Sequence, residues 1–163
     1  EVEEDADTFA GNAVKKALAV AGYTAIPAIA DDSGLEVYAL DNAPGVYSAR
    51  YAGVDADDSR NLDKLLSEMK DVEDGRRGAR FVCCIVFALP EGRVEVFEGH
   101  VDGRIGRQPK GFNGFGYDPV FVPNGYKKTF AQMGASQKNK ISHRSKALAK
   151  AKKIIAEYLS LYQ

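Results

Sequence analysis

Apolar positions along this chain repeat with two different periods, and the change of period marks out the elements. From Thr8 to Ala21 they recur on a helical stripe of Phe9, Ala13, Ala17 and Ala21, which predicts a helix capped by Asp7 or Thr8 and stopped by Gly22. The run Ile26-Pro27-Ala28-Ile29-Ala30 then reads as a buried strand, followed by a second apolar stretch over 35–40, a Pro44-Gly45 turn and an irregular segment over 46–53. Leu62, Leu65, Leu66 and Met69 mark the buried face of another helix, with Asp55, Asp57 and Asp58 supplying a cap and favourable charge at its amino end. Residues 79–89 are the longest apolar run, too β-branched and aromatic to favour helix. Pro90-Glu91-Gly92-Arg93 separates that run from an alternating segment through Val94 and Val96 to His100, which predicts a hairpin. A last helix is expected from about Ser142 to Leu161. Its apolar stripe runs through Ala147, Leu148, Ala151, Ile154, Ile155, Tyr158, Leu159 and Tyr162, with Lys146, Lys150, Lys152 and Lys153 facing outward. This order of elements predicts an α/β domain with a mixed central β-sheet flanked by helices.

Composition narrows the class. A chain of 163 residues, 45% hydrophobic and 28% charged, suits one soluble globular domain over 1–163. No apolar stretch approaches the roughly 18 residues that span a bilayer, and no secretory signal pattern is present. The only cysteines, Cys83 and Cys84, are adjacent inside an apolar run, where a disulfide between them would be strained, so a reducing cytoplasm is expected. Net charge is −1, yet it is unevenly spread: residues 1–74 hold 17 acids against 6 bases, whereas 119–156 hold 9 bases and no acid. An acidic part suited to a divalent cation and a basic part suited to phosphates together fit an anionic, metal-bound substrate. Nucleic acid is disfavoured as a partner by the pI of about 6.2 and by basic residues that are not interleaved with aromatics.

Three segments carry candidate chemistry. Asp31-Asp32-Ser33-Gly34 places two carboxylates where the apolar run ends, the end at which α/β sheets hold ligands. Such a pair can hold a metal, or it can bond nearby backbone N–H groups. Gly111 to Pro119 combines three glycines with aromatics: the chain can approach a planar ligand closely, Phe115 or Tyr117 can stack on it, and Asp118 can accept a hydrogen bond. Ser142-His143-Arg144 opens the last helix, with Ser142 as the expected cap and His143 and Arg144 projecting donors that suit the 6-oxo group of a purine.

Taken together, the ordered motifs resemble the inosine triphosphate pyrophosphatase family. The residues that carry the resemblance are Thr8-Phe9 with Asn12-Ala13, 30–35 around Asp32, 43–51 from Ala43 to Tyr51, Gly114-Phe115-Gly116-Tyr117-Asp118-Pro119, and Ile141-Ser142-His143-Arg144. The resemblance implies an elongated α/β fold of two lobes with a cleft between them, usually dimeric. It also implies magnesium-dependent hydrolysis of ITP, dITP and XTP to the monophosphate and pyrophosphate. By the same resemblance, Asp32 corresponds to the general base and a magnesium ligand, and Ser33 to a substrate contact. Phe115, Gly116, Tyr117 and Asp118 match the base-stacking loop, and Lys138, His143 and Arg144 match residues that hold the substrate. Glu3, placed ahead of Thr8-Phe9, is the expected second magnesium ligand, with Glu4 close behind and Glu1, Asp5 and Asp7 also competing. Lys138 and Lys16 would stabilise charge that develops in attack at the α-phosphorus.

Two departures from the family pattern bear on this reading. The initial strand and Ser/Thr-x-Asn-x-x-Lys phosphate loop typical of the family do not occur in these residues, which predicts impaired triphosphate hydrolysis and an exposed sheet edge should this be the whole molecule. Gly11 stands where many relatives carry Glu. The alternatives are a related nucleotide pyrophosphatase of different base preference and a non-catalytic nucleotide-binding module.

Overall fold

The computed structural model describes residues 2–160, so the expectations that touched Glu1, Leu161 and Tyr162 lie outside the described residues. The elements run α1 (Phe9–Thr24), β1 (Ala28–Val37), α2 (Asp58–Glu68), β2 (Gly78–Ala88), β3 (Val94–Ile105), β4 (Phe121–Pro123), α3 (Ala135–Ile141) and α4 (His143–Ser160). Helices accompany a four-stranded sheet whose order, β1-β2-β3-β4, follows the chain. Where a mixed sheet was expected, these four strands pair antiparallel, with Arg104 of β3 opposite Val122 of β4. Only β2 and β3 are joined by a short link, residues 89–93; the stretch 38–77 with α2 lies between β1 and β2, and 106–120 lies between β3 and β4.

Local chemistry sets the helix ends. Thr8 caps α1 by accepting from the Gly11 N–H, and Asp57 caps α2 by accepting from Arg60 N–H at 2.8 Å. Gly22 does not stop α1, which continues to Thr24 and ends where Ala25 turns left-handed at φ 57°. A glycine within a helix costs stability without forcing an end when the flanking residues are good helix formers. The hairpin between β2 and β3 forms as expected, closed by Leu89 N–H to the Arg93 carbonyl at 2.8 Å, with Gly92 at φ 96°.

Two compact units share the chain. The first comprises the described part of 1–33, 82–100 and 143–163; the second comprises 34–81 and 101–142. In the first unit β2 is buried on both faces: Cys83 and Ile85 meet Ala147 and Ala151 of α4, while Val86 and Ala88 meet Ala13, Ala17 and Ala21 of α1. Odd and even positions point opposite ways along a strand, which explains an apolar run without alternation. In the second unit the core gathers Leu65, Met69, Phe81, Tyr117, Phe121, Phe130 and Met133. No helix among the described residues is long and apolar enough to cross a membrane.

Candidate active site

The acid pair lies in the middle of a strand and not at its end. β1 continues without a turn from Ala28 through Asp31, Asp32, Ser33 and Gly34 to Val37, while Ile26 and Ile29 are exposed. β1 is the outer strand of the described sheet, so the apolar run is covered only in part and the carboxylates can occupy a half-open surface. Successive positions point to opposite faces, which separates Asp31 from Asp32 and Asp32 from Ser33.

Asp32, with its side chain only 13% exposed, gathers the polar residues of the first unit. Its Oδ1 accepts from Lys16 Nζ at 3.3 Å and its Oδ2 from Asn12 Nδ2 at 3.4 Å. Lys16 Nζ also reaches Glu4 Oε1 at 2.9 Å, so two carboxylates converge on one ammonium. Asn12 is fully buried and aimed by the Ala6 N–H, which donates to its Oδ1 at 2.9 Å. Burial lifts the Asp32 carboxyl above its ordinary pKa, and the Lys16 charge offsets that only in part. For Lys16, burial works to lower the pKa, but the bonds and charges of Glu4 and Asp32 prevail and the ammonium is held more firmly. The result is a carboxylate of raised basicity beside a fixed cation, an arrangement suited to accepting a proton next to an anion.

The start of α4 belongs to the same unit. Arg144 Nε lies 3.5 Å from Asp31 Oδ2 with the arginine side chain about half exposed. His143 is buried and does not project from the helix end. Ser142 sits extended between α3 and α4, its N–H donating to the Lys138 carbonyl at 2.9 Å and thereby closing α3.

In the second unit, residues 111–118 form a loop tied from within. Asp118 is 2% exposed; its Oδ2 accepts from the Phe115 N–H at 3.0 Å and pairs with Lys138. Gly114, at φ 78°, passes so close to that carboxylate that a β-carbon would collide with it. The Gly116 N–H donates to Asp58 Oδ2 at 2.7 Å, anchoring the loop to the first turn of α2. Tyr117 faces the core, its hydroxyl donating to the Ser48 carbonyl at 2.9 Å, so it is unavailable for stacking. Phe115 is 61% exposed, with Lys138 Nζ 5.1 Å from its ring centre.

Comparison with known proteins places this arrangement. The pattern of the Ham1 family matches residues 1–154. The chain belongs to the Ham1 family. The dITP/XTP pyrophosphatase of Desulforamulus reducens is 56% identical over 155 residues, covering 95% of this chain and 77% of that protein. The dITP/XTP pyrophosphatase of Bacillus subtilis is 48% identical over 155 residues, 95% of this chain and 78% of its own. The solved Ham1 protein of Staphylococcus aureus superposes with a TM-score of 0.92 at 43% identity, covering 97% of this chain and 81% of that one. An α/β architecture of the Ham1 kind is therefore the fold, as the motifs implied.

Within this Ham1 chain, the structure brings Glu4, and not Glu3, to the Lys16 and Asp32 cluster. Residues 2–6 alternate between half-buried and exposed, so neighbouring acids face opposite ways and Glu3 turns outward. Among the described residues, no three His, Cys, Asp or Glu side chains gather into a complete metal cage. Two contacts were not expected from the sequence: Asn12 orients Asp32, and Asp58, expected only as a cap or charge at the amino end of α2, holds Gly116. Asn12 had a readable signal. It precedes Lys16 by four positions, so both share one helix face. Asp58 had none, because it looks like any acid in the first turn of a helix.

Proposed function

We propose that the chain hydrolyses non-standard purine nucleoside triphosphates, dITP and XTP among them, to the monophosphate and pyrophosphate. The observation that carries this reading is the Asp32 carboxylate, raised in basicity by burial and set between Lys16 and Asn12, in a member of a family whose relatives bear that activity in their names. In the reaction, a water oxygen forms a bond to the α-phosphorus as the bond from that phosphorus to the oxygen bridging toward the β-phosphorus breaks. Asp32 accepts the water proton, and pyrophosphate carries away the electron pair of the broken bond. Lys16 stabilises the charge that grows on the phosphate oxygens, and Asn12 keeps the carboxylate aimed.

The donor set accepts a cation. Glu4 and Asp32 already converge on one ammonium, and hard carboxylate oxygens in ones or twos, completed by substrate phosphates, are how magnesium is usually held. Asp32 and Glu4 are thus the residues that would hold Mg2+, which when bound neutralises phosphate charge. We assign Arg144, steadied by Asp31, to the purine 6-oxo group. Within the second unit, the exposed ring of Phe115 is the surface suited to a flat base, and Lys138 and Asp118 keep that ring in place. The two buried cysteines, neither of them in a disulfide, suit a cytoplasmic location. The same proposal includes a homodimer, which sedimentation would read.

The test is incubation with dITP, XTP, ITP and ATP in the presence of Mg2+, with products separated. Monophosphate plus pyrophosphate from the oxo purines is expected, and Asp32→Asn should lower kcat by about 10²–10⁴-fold, the range for a lost general base. Diphosphate plus phosphate as products would overturn the site of attack, and an unaffected Asp32→Asn variant would overturn the assigned base.

A further inference from the structure

A second polar site lies wholly within the second unit and takes no part in the chemistry above. Between β3, β4 and the segment leading into the glycine loop is a solvent-open pocket of about 370 Å³, lined by Arg104, Arg107, Gln108, Lys110, Lys127 and Thr129. Four of these side chains are cationic. Arg107 is paired with Asp74 at 2.7 Å. Among the described residues, Arg104, Lys110 and Lys127 make no ion pair, so three cations face one pocket without a neutralising acid. The sequence around them is equally one-sided: between 104 and 128 the only acid is Asp118, which is buried against Lys138.

The pocket is also poor in acceptors. The buried Arg77 clamps the floor, its Nε donating to the Ile105 carbonyl at 2.8 Å and a terminal nitrogen to the Gly106 carbonyl at 3.0 Å. Thr129 Oγ1 donates to the Lys110 carbonyl at 2.6 Å, using up another acceptor of the wall. The Ile105, Gly106 and Lys110 carbonyls are thus satisfied from inside the protein, while Arg104, Lys110 and Lys127 are exposed. Gathering like charges around a concavity is unfavourable unless an anion completes it. A guanidinium fork beside flexible ammonium groups matches phosphate oxygens, which accept from both. No aromatic side chain lines the pocket, so nothing there would stack on a base.

We propose that this pocket binds the oligophosphate group of a small molecule, either inorganic polyphosphate or the phosphate tail of a nucleotide, without recognising a base. Its volume exceeds what a single phosphate fills, and its concave form suits a compact anion better than an extended strand. A ligand there would also touch the base of the glycine loop, since the Lys110 N–H donates to the Pro119 carbonyl at 2.8 Å.

The test is calorimetric titration with inorganic tripolyphosphate in metal-free buffer, using the full chain and a Lys16→Ala background that removes the lysine of the first unit. Binding should persist in Lys16→Ala, weaken about tenfold or more when Arg104→Ala and Lys127→Ala are combined, and return in the charge-keeping pair Arg104→Lys and Lys127→Arg. Arg104 and Lys127 are both exposed, and a thermal melt confirms folding. Guanosine and cytidine triphosphates should bind equally well, which assigns the phosphate tail; binding of tripolyphosphate alone would assign the inorganic source. Loss of binding in Lys16→Ala alone, indifference to the Arg104 and Lys127 substitutions, or tighter binding of an oligonucleotide than of tripolyphosphate would each overturn the proposal. Because dITP hydrolysis is measured separately, failure here leaves the assignment of Asp32 intact.

Discussion

The two units build their interiors from different materials. The first is lined by alanines: Ala13, Ala17, Ala21 and Ala28 on one side of β2, Ala147 and Ala151 on the other. The second is lined by large side chains, with Phe81, Phe121 and Phe130 in mutual ring contact at centroid distances of 4.7–6.0 Å. Small residues let a helix backbone approach a strand closely. Gly99 of β3 lies so near the His143 carbonyl and the Ala147 N–H of α4 that a β-carbon there would strike backbone. Close approach fixes α1 and α4 against the strands and so fixes Asn12, Lys16 and Arg144, the side chains around the two acids of β1. The aromatic core of the second unit serves a different need. It anchors a loop with little regular structure, through Tyr117 from within and through Phe130 beneath Lys138. A charged site is thus held by tight helix packing, and an aromatic loop by bulk.

Substitutions that exchange these materials should separate the two. The largest effect is expected from Phe121→Ala, which leaves a void where Phe81 and Phe130 meet and should cost about 3–5 kcal/mol in urea unfolding, with the loop around Phe115 loosened in hydrogen exchange. Next comes Gly99→Ala. No rotamer can relieve contact with the α4 backbone, so a loss of about 1–3 kcal/mol is expected, with kcat reduced through the displaced Arg144; an unchanged melting temperature would show that α4 yields freely. A smaller effect should follow from Phe115→Ala, which removes an exposed ring: KM for dITP is expected to rise with kcat and stability nearly unchanged.

The smallest and most local test uses Cys83 in the small-residue core. Burial, aided by the charge of Asp31, pushes its thiol up to about 12 from an ordinary 9.0. The folded chain should therefore resist iodoacetamide at pH 8 and label only when unfolded. A folded pKa above the unfolded one means that the contribution of this thiol to stability is present below pH 9 and is lost as pH rises from there toward 12. Fast labelling of the native protein would show that the alanine-lined core opens readily.

Periodicity and local chemistry were enough to locate α1, α2, the β2 and β3 hairpin and α4, because each buries one stripe or carries its own cap and turn residues. They did not reveal β4, three residues that become a strand only because Gly103 to Ile105 offers them a partner, or α3, a short helix with no buried residue. The same division runs through the candidate site. Asp32, the glycine loop and Arg144 were legible as residue types in a telling order. Which glutamate accompanies Asp32, that Asn12 aims it, that Tyr117 and His143 turn inward, and that Asp58 holds Gly116 were decided by tertiary structure. Spacing along a chain records which side chains share a face. Which faces meet depends on the packing of elements far apart in sequence, and that packing brought Glu4, Lys16 and Asp32 to a single point.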